Sequence, residues 1–320
     1  MKSIYGWLVI IVSITVFISS CKSSDDSSTT TSSGLFIAVG GSGTLLTSSD
    51  GTTWTAQTTG TTNALRAVAY DGSSTLVTVG WSGTILTSTD GTTWTAQTSG
   101  TSNDINNVTY SGSAFVAVGD NGTLLSSPDG TTWTDRTSGC GMTGDMWDIA
   151  MTSSIGVVVG DNGSIYTSTD KGSTCTARSS GTTVEFNELL YGDSTFVVAG
   201  DNGTVLTSSD GITWTSRSSS TTNDLYGGAY TDSNNDGNKV FALVGASGKL
   251  ISSNSAYTTW TPIELSSLST GSLYGVARGG TTWVIVGTSG YISSISDGDS
   301  DVTTRSSGTT EYLRRVFYKP

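Results

Sequence analysis

Few side chains in this chain could do acid–base or covalent chemistry. Histidine is absent from its 320 residues, which removes the commonest general base and the commonest metal ligand together. Four glutamates are present, Glu185, Glu188, Glu264 and Glu311. Glu188 falls inside an apolar segment and the others lie between such segments, so no pair stands at a spacing that argues for glycosidase carboxylates. Most aspartates sit in turn-like runs, where Asp is expected for backbone reasons. Asp232-Ser233-Asn234-Asn235-Asp236-Gly237 has the spacing of a calcium loop, but Leu243 stands at the twelfth position, where a closing carboxylate belongs. No metal and no cofactor is therefore assigned. A nucleic-acid surface needs clustered Lys and Arg; with 26 acidic against 14 basic residues and a net charge of −12, none is expected.

The elements that must position these residues come from a repeat. Val39–Trp54 reads VGGSGTLLTSSDGTTW and returns at Val79 as VGWSGTILTSTDGTTW and at Val118 as VGDNGTLLSSPDGTTW. A period of about 40 residues signals a repeat architecture. In the second unit, Leu65–Tyr70 and the nearly continuous apolar run Thr75–Val79 read as strands. Ser82-Gly83 turns the chain into a third, Thr84–Ser88. Asp90-Gly91 is a hairpin signal, and Trp94–Thr98 is a fourth. The glycine closing the second strand occurs at Gly40, Gly80, Gly119, Gly160, Gly200, Gly245 and Gly287. First strands begin at Leu65, Ile105, Met146, Phe186, Leu225, Leu273 and Leu313. The two series are out of phase: the first unit, opening at Leu35–Val39, lacks a first strand, and Leu313–Tyr318 has no second strand after it. The expectation is an all-β fold over residues 35–320, a seven-bladed β-propeller of four-stranded antiparallel blades, with the C-terminal strand closing the first blade. An open solenoid is the alternative, and it would not need a complementary start and end.

Ser168-Thr169-Asp170-Lys171-Gly172-Ser173-Thr174 matches the Asp-box of sialidase-type (BNR) repeats, with Cys175 in place of the aromatic residue. The other copies, such as Ser48–Trp54, drop one residue between Asp and Gly. With the VGxxGT lead-in, the array resembles the BNR-like propellers related to the photosystem II assembly factor. The resemblance implies a fold, with each Asp carboxylate tying its hairpin turn and each Trp packing into the blade. Asn254 in the sixth blade and Val302 in the last depart from the box, and looser turns are expected there. Sialidases resembling this fold use an arginine cluster, a Tyr–Glu pair and an acidic residue. No such set is legible here, so the chain reads as a non-enzymatic binding or assembly module. The alternatives are a sialidase-like glycoside hydrolase or carbohydrate-binding protein, and a surface adhesin.

Residues 1–20 combine Lys2, an apolar run from Ile4 to Phe17, and Ile18-Ser19-Ser20 before Cys21. The pattern resembles a signal peptide ending in the lipobox of bacterial lipoproteins, which implies cleavage and lipid attachment at Cys21. Residues 21–34 are Ser/Thr-rich and read as a tether. The expected location is the cell envelope, lipid-anchored at the outer membrane, with no other membrane contact.

Without Cys21, two cysteines remain in an oxidising compartment. Cys175 occupies a Trp position, and Cys140 lies in the enlarged loop leading into the same blade. Two departures within one blade argue for a Cys140–Cys175 disulfide; separate buried thiols are the alternative. Candidate partner contacts fall where the copies disagree. Arg66, Asn106, Trp147, Asn187, Tyr226, Tyr274 and Arg314 take equivalent places near the start of the first strands. Trp81 stands at a turn position where no other copy has an aromatic residue. Arg136, Arg178 and Arg217 end fourth strands of the blades that carry Asp120, Asp161 and Asp201, and read either as local Asp–Arg pairs or as part of a mixed-charge patch. The expected partner is an envelope or extracellular protein or a glycan. Replacing Cys21 with Ser is expected to abolish incorporation of a labelled fatty acid and to move the chain from the membrane to the soluble fraction; unchanged labelling would contradict the lipoprotein reading.

Overall fold

The computed structural model describes residues 34–232, 239–265, 267–299 and 301–320. Residues 1–33, with the signal, Cys21 and most of the tether, lie outside these. So does the motif Asp232–Gly237, apart from the backbone of Asp232. The described residues form seven four-stranded antiparallel sheets. The innermost strands are Leu65–Tyr70, Ile105–Tyr110, Met146–Met151, Phe186–Gly192, Leu225–Asp232, Leu273–Gly279 and Leu313–Lys319. Each lies against the next in a closed ring, and Leu313–Lys319 meets Leu65–Tyr70. The first blade is composite. Leu313–Lys319 pairs antiparallel with Leu35–Gly40, Phe36 opposite Tyr318 and Ala38 opposite Val316. This is the closure expected from the phase of the repeats.

Sequence dictates the blade geometry in two places. The glycine ending each second strand has an extended backbone, as at Gly119 with φ −167°, so positive φ is not what requires it. A Cβ there would meet the carbonyl oxygen of the residue before the inner strand, at 2.0 Å from Asp104 for Gly119 and 2.1 Å from Ala64 for Gly80. No side chain fits that approach. The Asp-Gly hairpins are held by local bonds. The Asp50 carboxylate accepts from the backbone N–H of Thr52 and Thr53 at 2.7 and 2.8 Å, and Ser48 Oγ accepts from Gly51 at 2.9 Å. Asp90, Asp129 and Asp210 repeat this.

The two departing hairpins differ from each other. Asn254 does what Asp does elsewhere, accepting from Thr258 and Thr259 at 2.9 and 3.3 Å, and Tyr257 and Trp260 are buried beneath it. That turn is therefore not loosened, because an amide oxygen serves as well as a carboxylate. In the seventh blade Asp297 is diverted: it pairs with Arg278 and accepts from Trp283 Nε1 at 2.9 Å.

The core consists of seven apolar clusters, one in each seam between neighbouring blades. In the seam between the third and fourth blades, Cys140 and Cys175 form a disulfide, Cα–Cα 4.5 Å, across 35 positions. Constraining a loop of that length in the unfolded chain is worth about 3–4 kcal/mol in the chain-entropy account. The Cys140→Ser/Cys175→Ser variant is expected to lose about that much in urea unfolding, and reductant should then have no further effect on it. An undiminished midpoint would show that the bond adds nothing.

Candidate functional site

Each inner strand carries a bulge at its second residue. The pairing slips between Leu65 and Ala67, Ile105 and Asn107, Met146 and Asp148, Phe186 and Glu188, Leu225 and Gly227, and Leu273 and Gly275. It slips again opposite Val39/Gly40, which face Arg315 and Leu313. A bulged residue is unpaired and its side chain is re-aimed. The seven bulged residues are Arg66, Asn106, Trp147, Asn187, Tyr226, Tyr274 and Arg314, and they form one tier at the mouth of the channel. The residues that follow, Ala67, Asn107, Asp148, Glu188, Gly227, Gly275 and Arg315, form a second tier.

The second tier holds a buried ionic cluster. Arg315 pairs with Glu188 and lies 3.5 Å from Asp148. It comes from the first blade, and its partners stand on the fourth and fifth, three places away in either direction round the ring, so its side chain spans the axis. Asp148 also accepts from the backbone N–H groups of Ile149 and Leu189 at 2.7 and 2.8 Å and from the Asn107 amide. Glu188 accepts from Gly228 N–H at 3.1 Å. The carboxylates thus join neighbouring blades. The absence of a carboxylate pair expected from spacing is corrected here: Asp148 and Glu188 are 40 positions apart in sequence, but the repeat period sets them side by side. Their side chains are only 4% and 1% exposed and are engaged by the protein itself, which is the arrangement of a structural cluster rather than of an acid–base pair open to substrate.

The mouth tier is polarised. Asp104, Asp145, Glu185 and Asp224 immediately precede the inner strands of blades three to six, and Asp120, Asp161 and Asp201 begin turns of blades three to five. Asn106, Trp147 and Asn187 donate to Asp120, Asp161 and Asp201 at 2.9, 2.7 and 2.9 Å. Burial raises the pKa of Glu185, and the neighbouring Asp201, Asp161, Asp145 and Asp224 raise it further. On the other side stand the two arginines. The Arg66 guanidinium lies 5.6 Å from the Trp81 ring centre and 5.3 Å from that of Trp147, within cation–π range. Arg314 lies 5.6 Å from the Tyr274 ring and donates to the Tyr226 carbonyl at 3.3 Å. Burial, Arg315 and Arg66 push the Arg314 pKa down to about 10. Among the described residues neither Arg66 nor Arg314 forms an ion pair, and Arg66 Nε is buried without a hydrogen-bond partner. The Tyr226 and Tyr274 rings meet at 5.5 Å with their planes inclined by 49°, and Trp81 is 41% exposed.

The structure therefore brings Arg66, Arg314, Trp81, Trp147, Tyr226 and Tyr274 to one mouth. It does not bring Arg136, Arg178 and Arg217 there. They lie at the ends of the outer strands and donate to Ser126, Thr167 and Thr207 at 3.1, 2.9 and 2.8 Å. The expected pairing with Asp120, Asp161 and Asp201 is absent among the described residues: those aspartates begin the turns between second and third strands and are engaged by the inner-strand residues Asn106, Trp147 and Asn187 instead. Asp148, Arg315 and the acidic residues preceding the inner strands were missed in the sequence. Their signal is present, as equivalent positions of the repeat, but it needs the blades to be superposed. No three His, Cys, Asp or Glu side chains among the described residues come together to hold a metal ion.

The fold and this mouth define a seven-bladed propeller whose channel mouth is polarised across its axis. Residues 59–189 match the DUF6242 beta propeller domain family. No curated protein matches the sequence. Among solved structures the chain is similar to YCF48 bound to D1 peptide, with TM-score 0.61 and 18% identity over 76% of this chain and 80% of that one. It is also similar to YCF48 from Cyanidioschyzon merolae, with TM-score 0.55 and 15% identity over 78% and 85%. The WD40 propeller of Doa1 aligns with TM-score 0.56 and 11% identity over 78% and 92%. At these identities the likeness concerns the fold.

The ionic cluster generates a pH dependence. Burial pushes the Glu188 carboxyl up to about 8, against the opposing effect of Arg315, and Asp148 is raised as well. The native chain then keeps a proton that the unfolded chain releases. That contribution is complete below the ordinary value of 4.5 and is lost as pH rises through 8. The hairpin carboxylates act in the other sense. Backbone N–H donors hold Asp129 and Asp210 down to about 2 from 3.8, so their contribution is present above 3.8 and lost as pH falls towards 2. Melting temperature is expected to peak between these windows and to decline from pH 5 to 8. In Glu188→Gln the decline should be flatter. An equally steep decline in that variant would remove Glu188 as its source.

Proposed function

We propose that this chain is a non-enzymatic propeller that binds a segment of a partner protein at the channel mouth. The observation that carries the reading is the pair Arg66 and Arg314. These are two guanidiniums without carboxylate partners, set among Trp81, Trp147, Tyr226 and Tyr274 and facing an arc of carboxylates. Aromatic and arginine side chains are the usual anchors of protein interfaces. Guanidiniums with no carboxylate in direct contact favour an anionic group on the partner, while the opposite arc favours a basic one. The polarity would fix the orientation of a bound segment. The propeller solved with a D1 peptide, similar in fold, supports this mode of use. The non-enzymatic reading is supported by the burial and internal pairing of Asp148 and Glu188, the carboxylates most central to the channel. Through Cys21 the propeller would be tethered in the cell envelope, at the outer membrane, which puts its partners among envelope or extracellular proteins. An adhesin would use the same surface and differ only in the partner.

Capture from solubilised envelope extracts tests the reading. A partner held by the wild-type chain is expected to be lost at least tenfold with Arg66→Gln/Trp81→Ala, while the melting temperature of the variant stays close to that of the wild type. Equal capture by a well-folded variant would move the binding surface away from the mouth.

A further inference from the structure

Arg66 and Arg314 take equivalent places on the inner strands of the second and first blades, and these strands lie against each other. Both side chains are half-buried, and both reach inward over the channel. Arg66 extends two blades on, to the ring of Trp147, and Arg314 two blades back, to the Tyr226 carbonyl. Burial lowers the Arg314 pKa, and Arg315 and Arg66, as like charges, lower it further. Burial raises the Tyr312 pKa, and Arg66 and Arg314 oppose the rise, which puts the Tyr312 hydroxyl in the field of both guanidiniums. The Tyr312 ring meets that of Tyr274 edge-on at 6.3 Å.

The Arg66 guanidinium is held by aromatic rings. It lies over two indoles, 5.6 Å from the centre of Trp81 and 5.3 Å from that of Trp147. Trp147 is fixed in turn by its N–H bond to Asp161 at 2.7 Å. Contact with ring faces uses the positive charge of a guanidinium but none of its N–H donors. Arg66 forms no ion pair among the described residues. Two like charges held together away from water repel, and an anion set against both guanidiniums relieves that repulsion. Burial lowers the Arg66 pKa, and Tyr312, Asp104 and Asp120 oppose this through space. The two aspartates would repel a second negative charge on the ligand. A carboxylate is singly charged, and its plane matches the N–H fork of a guanidinium.

We propose that Arg66, Arg314 and Tyr312 form a binding site for one carboxylate group, with Arg66 oriented towards it by Trp81 and Trp147. The inference rests on the mouth being the binding face, and it names the group that a partner segment places there. Asp161 acts at one remove, as a positioning residue for Trp147.

Titration of the puried chain with sodium acetate at constant ionic strength, followed on the indole N–H signals, tests the site without any partner. The expected result is a saturable shift of the Trp81 and Trp147 signals, with those of Trp94 and Trp214 in place, and weaker binding of inorganic phosphate. Arg66→Gln and Arg314→Gln should each weaken acetate binding about tenfold or more. Arg178→Gln, on an outer strand with its guanidinium bonded to Thr167, should leave it unchanged. Asp161→Asn and Asp161→Ala both remove a negative charge, but only the first keeps an acceptor for the Trp147 N–H. Weaker binding by the alanine variant is expected, and equal binding would remove Asp161 and Trp147 from the site. Acetyl-Gly-Glu-Gly-amide and acetyl-triglycine separate a side-chain carboxylate from a chain end: the tighter of the two names the source. Absence of a saturable acetate shift overturns the inference, as does a shift that persists in Arg66→Gln or tighter binding of phosphate. If both arginine variants fail to fold, the order of acetate and phosphate and the place of the shifts in the wild type still decide. Acetate binding without capture of any partner would leave this site and remove the proposed function; capture without acetate binding would remove the site alone.

Discussion

Everything in this molecule depends on closing the ring. Seven blades leave two free edges until Leu313–Lys319 pairs with Leu35–Gly40. An open array of this kind would expose an apolar seam and unpaired backbone groups, and radial closure removes both. The closing strand also contributes the two arginines at adjacent positions that matter most in the channel. Arg315 reaches across the axis to Asp148 and Glu188, and Arg314 stands at the mouth. The strand that completes the fold is therefore also the one that sets the electrostatics of its centre.

The bulge on every inner strand links scaffold to surface. Without it, the second and third residues of each strand would alternate between the faces of the sheet. With it, the second residue is freed to line the mouth while the third stays in the ring of the core. One tier can then vary freely between blades, as Arg66, Trp147 and Tyr274 do, because it carries no pairing duty. The other is constrained by burial: a carboxylate placed there must find donors, and Asp148 and Glu188 find them on neighbouring blades. Burying charge costs more than pairing returns in most settings, so this cluster is better read as fixing blade positions than as a large source of stability.

The repeat tolerates substitution unevenly for the same reason. Asn254 can replace the hairpin aspartate because an amide oxygen accepts the same two N–H bonds. Cys175 can replace a tryptophan because Cys140 supplies a covalent plug. In the seventh blade the hairpin is held differently, by Asp297 pairing with Arg278 and accepting from Trp283.

The architecture was legible in the sequence to an unusual extent. Strand order, blade number and closure follow from the spacing and phase of the glycines, because each of those glycines is demanded by a backbone contact at the start of its own blade's inner strand, which for Gly40 is supplied by Tyr312. The mouth residues Arg66, Trp147, Tyr226, Tyr274 and Arg314 were also legible, as positions where equivalent copies disagree. What could not be read was anything that joins distant blades. Asp148, Glu188 and Arg315 are separated by 40 and 127 positions and meet only once the ring is closed. The arginines ending the outer strands looked like partners of Asp120, Asp161 and Asp201, because sequence shows that they share a blade but not that the aspartates turn to the inner strand and the arginines to the third. The sequence alone determined which residues are equivalent, since local turns and strand periods depend on near neighbours; the tertiary structure decided which equivalents touch, since that is a property of the closed ring.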